Sequence, residues 1–224
     1  MKGGDISNDA ALVFAGGDAP PRAVAAHLPD PAYVIAADSG LAAAVALGRR
    51  VDLVVGDLDS VGVDALAAAR DAGAAVEAHP RDKDQTDLEL ALDAAVARGF
   101  RRIVVAGGYG GRLDHFLANL ALLASPRYTG ADVEAWVGSA AVAVVRDQAE
   151  LVGRPGELVT LIPLGGPARG IRTYGLRFAL DDEDLEPGTS RGVSNEFADQ
   201  RARVTVRTGT LLAIRPDAVA APER

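Results

Sequence analysis

Seven aspartates stand just past four short apolar runs. Asp38 follows Tyr33-Val34-Ile35-Ala36-Ala37, and Asp57 and Asp59 follow Leu53-Val54-Val55. Asp82, Asp84 and Asp87 follow Ala75-Val76-Glu77-Ala78, and Asp114 follows Ile103-Val104-Val105-Ala106. Crowded carboxylates repel one another unless a proton or a cation neutralises them. The chain offers no cysteine and no paired histidines, so the donor set is oxygen alone. Such a set suits Mg²⁺, which takes one or two carboxylates and leaves its other positions to water and phosphate oxygens. The plainer reading is a group of solvated loop acids that cap helices. It accounts for any one aspartate more easily than for all seven.

Three local motifs sharpen this. In Gly56-Asp57-Leu58-Asp59-Ser60 the acids are two apart, which in an extended loop aims both side chains the same way. An Asx turn with Ser60 as a helix N-cap is the structural alternative. In Arg81-Asp82-Lys83-Asp84-Gln85-Thr86-Asp87-Leu88-Glu89, Thr86 and Glu89 have capping-box spacing for the helix that follows. Lys83 is free of that role and could hold a polyphosphate, or form a surface ion pair of little energetic worth. Gly107-Gly108-Tyr109-Gly110-Gly111-Arg112-Leu113-Asp114-His115 puts four glycines before a helix start, a plausible phosphate cradle. It lacks the Gly-Lys-Ser/Thr of a Walker A loop, and Leu113 stands where a dinucleotide fingerprint needs its third glycine. Arg112 offers a fork for phosphate or carboxylate. His115 and Asn119, four apart, share a helix face, where a lone histidine is more often structural than catalytic. Farther on, Ser194-Asn195-Glu196 could read a small polar ligand or be an ordinary loop. The single Trp136 is expected in the core.

The elements that must position these residues follow from the apolar pattern. Leu12–Ala15, 33–37, 53–55, 75–78 and 103–106 read as buried strands, with helices near 41–47, 62–72, 86–98 and 112–124 between most of them. This alternation predicts parallel strands with right-handed crossovers, where ligands bind beyond the strands' carboxyl ends. From Val133 the chain turns rich in Val, Thr and Gly, and runs such as 158–162, 203–207 and 211–214 read as short strands. We therefore expect an α/β fold in two domains: 1–130 a Rossmann-like nucleotide-binding domain, and 131–224 an all-β sandwich or barrel. The tail from Pro216 is expected to fray.

Composition narrows the classes. The chain has 224 residues, 49% apolar and 24% charged, a globular balance. A net charge of −8 argues against a nucleic-acid coat, which needs a basic face. No run of about 18 apolar residues suggests a membrane span, and MKGGDISNDA lacks a signal peptide's apolar core. The absence of cysteine excludes disulfides and fits a cytoplasmic location. Only two of 23 basic residues are lysine, and Lys83 is the interior one.

Taken together, Ala37-Asp38-Ser39-Gly40, Gly56-Asp57-Leu58-Asp59-Ser60, Asp84-Gln85-Thr86-Asp87, Gly110-Gly111-Arg112-Leu113-Asp114-His115, Gly175-Leu176-Arg177-Phe178 and Ser194-Asn195 resemble the thiamine pyrophosphokinase family. The resemblance implies a nucleotide domain followed by a β-sandwich, and a homodimer with thiamine bound between one subunit's first domain and the other's sandwich. It implies transfer of pyrophosphate from ATP to the thiamine hydroxyl, giving thiamine diphosphate and AMP. By resemblance Asp57, Asp59 and Asp87 match Mg²⁺-binding acids. Asp38, Gln85, Arg112 and Asp114 match positions near the nucleotide and the reacting group, and Ser194 and Asn195 match the stretch that meets thiamine. Asp87 and Asp114 are the candidate general bases, and Phe178 or Trp136 the candidate ring partner. A sister enzyme acting on a pterin alcohol and a non-catalytic nucleotide or thiamine sensor are the competing readings.

Overall fold

The computed structural model describes residues 9–219; the opening MKGGDISN and the last five residues lie outside it. The described residues form two compact units, 9–119 with 130–138, and 120–129 with 139–219.

The first unit carries β1 (Ala10–Phe14), β2 (Tyr33–Ala37), α1 (Gly40–Ala46), β3 (Leu53–Gly56), α2 (Val63–Asp71), β4 (Ala75–Ala78), α3 (Asp87–Ala97), β5 (Arg102–Ala106), most of α4 (Leu113–Leu123) and β6 (Asp132–Val137). Its strands lie in the order β6-β5-β1-β2-β3-β4, and every pair is parallel. β1 is buried along its whole length, as a strand covered on both faces should be. α3 buries Leu88, Leu90, Ala91, Leu92, Ala94 and Ala95. Thr86 caps it, its hydroxyl accepting from the Glu89 backbone N–H at 3.2 Å. Trp136 is buried at the register of Ala106 and stacks on His27, ring centroids 4.9 Å apart.

The second unit is antiparallel. Its strands are β7 (Ala140–Val145), β8 (Gln148–Val152), β9 (Leu158–Pro163), β10 (Ala168–Tyr174), β11 (Asp181–Leu185), β12 (Asn195–Glu196), β13 (Arg201–Thr205) and β14 (Leu211–Arg215). One group runs β12-β9-β14-β7, and a separate sheet runs β11-β10-β13-β8. β9 and β13 alternate exposed and buried residues, the period of strands with one covered face. The buried set includes Val145, Leu151, Val159, Leu161, Ile171, Leu185, Phe197, Val204 and Leu211. The fold is thus mixed α/β, with a large sheet and a second, antiparallel one.

Two local expectations are corrected. Ser60 is not a helix cap: α2 starts from Gly62 without a side-chain cap, and Ser60 Oγ donates to Asp59 Oδ1 at 2.9 Å. The described start of the tail is pinned, because Ser139 Oγ donates to the Pro216 carbonyl and the Val219 N–H to the Ser139 carbonyl. Among the described residues no helix is long and apolar enough to cross a membrane.

Candidate active site

β1 has β2 on one side and β5 on the other, so the chain's winding reverses between β1 and β5. Ligand crevices open at such a point, beyond the carboxyl ends. Here the loops leaving β1 and β5 are stitched together: Ala15 N–H donates to Ala106 O (2.9 Å), Gly108 N–H to Gly16 O (3.1 Å) and Asp18 N–H to Tyr109 O (2.7 Å). A cavity of about 580 Å³ opens there, lined by Gly16, Gly17, Gly108, Gly110 and Gly111 together with Asp38, Asp57, Asp59 and Asp87.

The acids reach it by distinct routes. Asp38 ends β2 with φ 46°, a left-handed conformation that is uncommon for a residue with a Cβ. Its N–H continues the pairing with β3, donating to Val55 O at 2.9 Å, and the residue lines the cavity. Leu58, between the other two acids, is also left-handed (φ 63°). The segment is therefore a turn and not the extended loop that i,i+2 spacing suggests. The Asp59 N–H folds back onto Asp57 Oδ1 at 3.2 Å. Asp38, Asp57 and Asp59 each present an oxygen, all within 4.8 Å of one another. Gly56 makes room for this: a Cβ there would stand 2.9 Å from Asp87 Oδ1 and 3.2 Å from Asp38 Cβ.

The electrostatics are unequal. Asp38 is nine-tenths buried and its Oδ1 has no hydrogen-bond partner. Burial, reinforced by the charges of Asp87, Asp57 and Asp59, pushes its carboxyl above the usual range against the Ser39 hydrogen bond. The Asp59 N–H, aided by Lys83, holds the Asp57 carboxyl below it. A trio of hard oxygens around an uncompensated buried carboxylate fits a Mg²⁺-class cation.

The remaining candidates are placed differently. Lys83 does not line the cavity; its Nζ sits 3.0 Å from Asp87 Oδ1 and 3.6 Å from Asp57 Oδ2. Gln85 turns to α3, donating to Asp93 Oδ2 at 2.9 Å. Arg112 lines the cavity and forks onto Asp114, Nη2 to Oδ2 at 2.5 Å and Nε to Oδ1 at 3.1 Å. Asp114 itself is exposed outside the cavity, and the Arg112 fork lowers its carboxyl to about 2. Asp82 and Asp84 are exposed and do not line the cavity. His115 and Asn119 do, and Asn119 Nδ2 holds the glycine loop through Gly108 O at 3.4 Å. Ser39, Arg81 and the Gly16-Gly17 turn, to which the sequence motifs assign no site role, also line the cavity. Arg81 stands 3.6 Å from Asp59. The turn carried the signal that marks Gly56: glycine directly after an apolar strand.

Ser194 and Asn195 belong to the second unit. Ser194 is exposed and left-handed (φ 58°), its N–H donating to Thr160 Oγ1 at 3.1 Å. Asn195 is buried, and its amide bonds the backbone of Phe178 and the N–H of Glu196. Phe178 is half exposed with the Arg177 guanidinium 5.3 Å above its ring.

Comparison with known proteins extends over both units. Residues 26–135 match the family described as "Thiamin pyrophosphokinase, catalytic domain", and 145–211 match "Thiamin pyrophosphokinase, vitamin B1 binding domain". A thiamine pyrophosphokinase of Bacillus subtilis is 28% identical over 171 residues, covering 71% of this chain and 76% of that protein. The crystal structure of thiamine pyrophosphokinase from Bacillus subtilis superposes with a TM-score of 0.80 at 24% identity, over 92% of this chain and 98% of that one. Thiamin pyrophosphokinase from Candida albicans gives a TM-score of 0.76 at 13% identity, over 92% and 90%. At these identities the structural matches speak for the fold.

Proposed function

The chain belongs to the thiamine pyrophosphokinase family, and on that premise we propose that it transfers pyrophosphate from ATP to the hydroxyl of thiamine, giving thiamine diphosphate and AMP. The observation that carries the reading is the carboxylate trio Asp38, Asp57 and Asp59 facing a glycine-lined cavity at the winding reversal. We read the first unit as a Rossmann-like nucleotide domain and the second as a β-sandwich that meets thiamine, the functional division falling near residue 130.

Asp38, Asp57 and Asp59 would hold Mg²⁺, with Asp87 beside them. The ion, when bound, neutralises polyphosphate charge. The chain's own residues do the rest. The backbone N–H groups of Gly110 and Gly111, which line the cavity, receive phosphate oxygens, and glycine lets them come close. Arg112 swings its fork from the exposed Asp114 to a phosphate, which costs little because the pair it leaves is solvated. The thiamine hydroxyl oxygen bonds to the β-phosphorus, and the bond from that phosphorus to the AMP oxygen breaks. A carboxylate takes the hydroxyl proton. Asp87 lines the cavity and Asp114 does not, so Asp87 is the better placed. Such transfer depends on positioning and charge neutralisation more than on covalent catalysis. An acidic pocket also suits cationic thiamine.

Ser194 and Asn195 are assigned to the thiamine side of this reading, Asn195 by shaping the 175–178 loop. A cytoplasmic homodimer completes it. The test is AMP release from ATP and Mg²⁺, with and without thiamine. AMP formed only with a pterin alcohol, or ATP bound with no AMP formed from any acceptor, would replace this reading with a sister enzyme or a sensor.

A further inference from the structure

The Lys83 side chain is largely buried between two carboxylates. Its side chain is 13% exposed, its Nζ lies 3.0 Å from Asp87 Oδ1 and 3.6 Å from Asp57 Oδ2, and those side chains are 27% and 16% exposed. Its backbone N–H donates to Arg81 O at 3.0 Å, which tightens the loop it sits on. Two carboxylates at these distances hold the ammonium in its charged form. Asp57 faces two ways: one oxygen takes the Asp59 N–H, and the other faces Lys83.

We propose that Lys83 is a built-in counter-cation, a positioning residue that keeps Asp57 and Asp87 assembled and holds the site's affinity for a free divalent cation low. The inference rests on the reading that Asp38, Asp57 and Asp59 hold such a cation. The reasoning is Coulombic. A divalent cation placed against Asp57 feels the ammonium already beside that carboxylate, and like charges a few ångströms apart in a partly buried site repel strongly. A cation that arrives complexed to a polyphosphate brings negative charge with it and is repelled far less. Lys83 thus biases the site toward the metal–nucleotide complex over the bare metal. It also explains why a chain with so few lysines has one here: a compact ammonium fits between two carboxylates on a flexible stem, whereas a planar guanidinium is shaped for a fork.

The test is equilibrium binding of Mn²⁺, read by electron paramagnetic resonance of the free ion, for the wild-type chain, Lys83→Met and Lys83→Arg. In the absence of nucleotide, Lys83→Met is expected to bind Mn²⁺ at least about tenfold tighter than wild type, and Lys83→Arg to stay within about threefold. A non-hydrolysable ATP analogue should shrink the gap between Met and wild type. If Lys83→Met does not fold, as judged by its melting transition, Lys83→Gln is read in the same way. A folded neutral variant that binds free Mn²⁺ no tighter than wild type overturns the proposal. So does a gap that the nucleotide analogue leaves unchanged. The comparison needs no turnover, so a wild-type chain that binds Mn²⁺ but releases no AMP would count against the reaction alone.

Discussion

Asn195 and Phe178 hold each other reciprocally. The Phe178 N–H donates to Asn195 Oδ1 at 3.0 Å, and Asn195 Nδ2 donates back to the Phe178 carbonyl at 2.8 Å. The same Oδ1 takes the Glu196 N–H at 2.9 Å, and Arg177 reaches Glu196 Oε2 at 2.8 Å. One buried amide thus extends the backbone pairing of the 175–178 loop, where the Arg177 N–H donates to Glu196 O and the Ala198 N–H to Gly175 O. Asn195→Ala leaves those backbone groups short of partners, and a loss of about 2–4 kcal/mol is expected in chemical denaturation. If the variant instead keeps its full stability and only raises the thiamine KM, the side chain serves the ligand and not the loop.

Asp57 sits where the acid trio and Lys83 meet. Asp57→Ala should lower AMP release by about 10²-fold or more, with the circular-dichroism spectrum unchanged. Near-normal Mg²⁺-dependent turnover would remove Asp57 from the cation site.

Two glycines of the cavity should behave differently. Both Gly17 (φ +107°) and Gly111 (φ +67°) are left-handed, so alanine at either pays about 1–2 kcal/mol of backbone strain. At Gly17 the new methyl would also meet the Tyr109 carbonyl, whereas at Gly111 it enters open space. Gly17→Ala is expected to raise the ATP KM and lower the melting temperature more than Gly111→Ala. Equal effects would show that the two loops part easily.

Asp184, in the second unit, supplies a pH signature of its own. The Gly170 N–H, then Arg169, holds its carboxyl below the ordinary 3.8. A depressed folded pKa stabilises the fold above the unfolded value, and that stabilisation is lost as pH falls through the folded one. Asp184→Asn should therefore melt below wild type at neutral pH, and the two should converge under acid, below about pH 4. A gap that persists unchanged at pH 2 would assign the effect to something other than this charge.

The first unit was the more legible half, for a physical reason. Strands covered on both faces must be near-continuously apolar, so 12–15, 33–37 and 103–106 announce themselves. β11 shows the opposite case. Its sequence, Asp-Asp-Glu-Asp-Leu, reads as a solvated loop. It is a strand because arginines neutralise it: Arg172 on Asp181, Arg207 on Asp182, Arg191 on Glu183 and Arg169 on Asp184. Those partners are between 8 and 25 residues distant in sequence, so no local window could pair them. The same limit governs the site. The seven aspartates were visible, but whether each faced the cavity depended on left-handed turns at Asp38 and Leu58, conformations that no pattern of side chains signals. Lys83 was singled out, yet its direction, toward carboxylates and not toward the open cavity, is set by a loop whose course only the structure reveals.

Gly56 constrains how this sequence can change over time. A Cβ there would stand against the carboxylate of Asp87 and the Cβ of Asp38, and the residue's φ is +143°. Any side chain there displaces an acid before it does anything else. A lineage that keeps both aspartates meets that cost at every single step away from glycine at 56, and a prior change at Asp87 lowers it. The order of mutations, and not merely their sum, is written into that one missing methyl group.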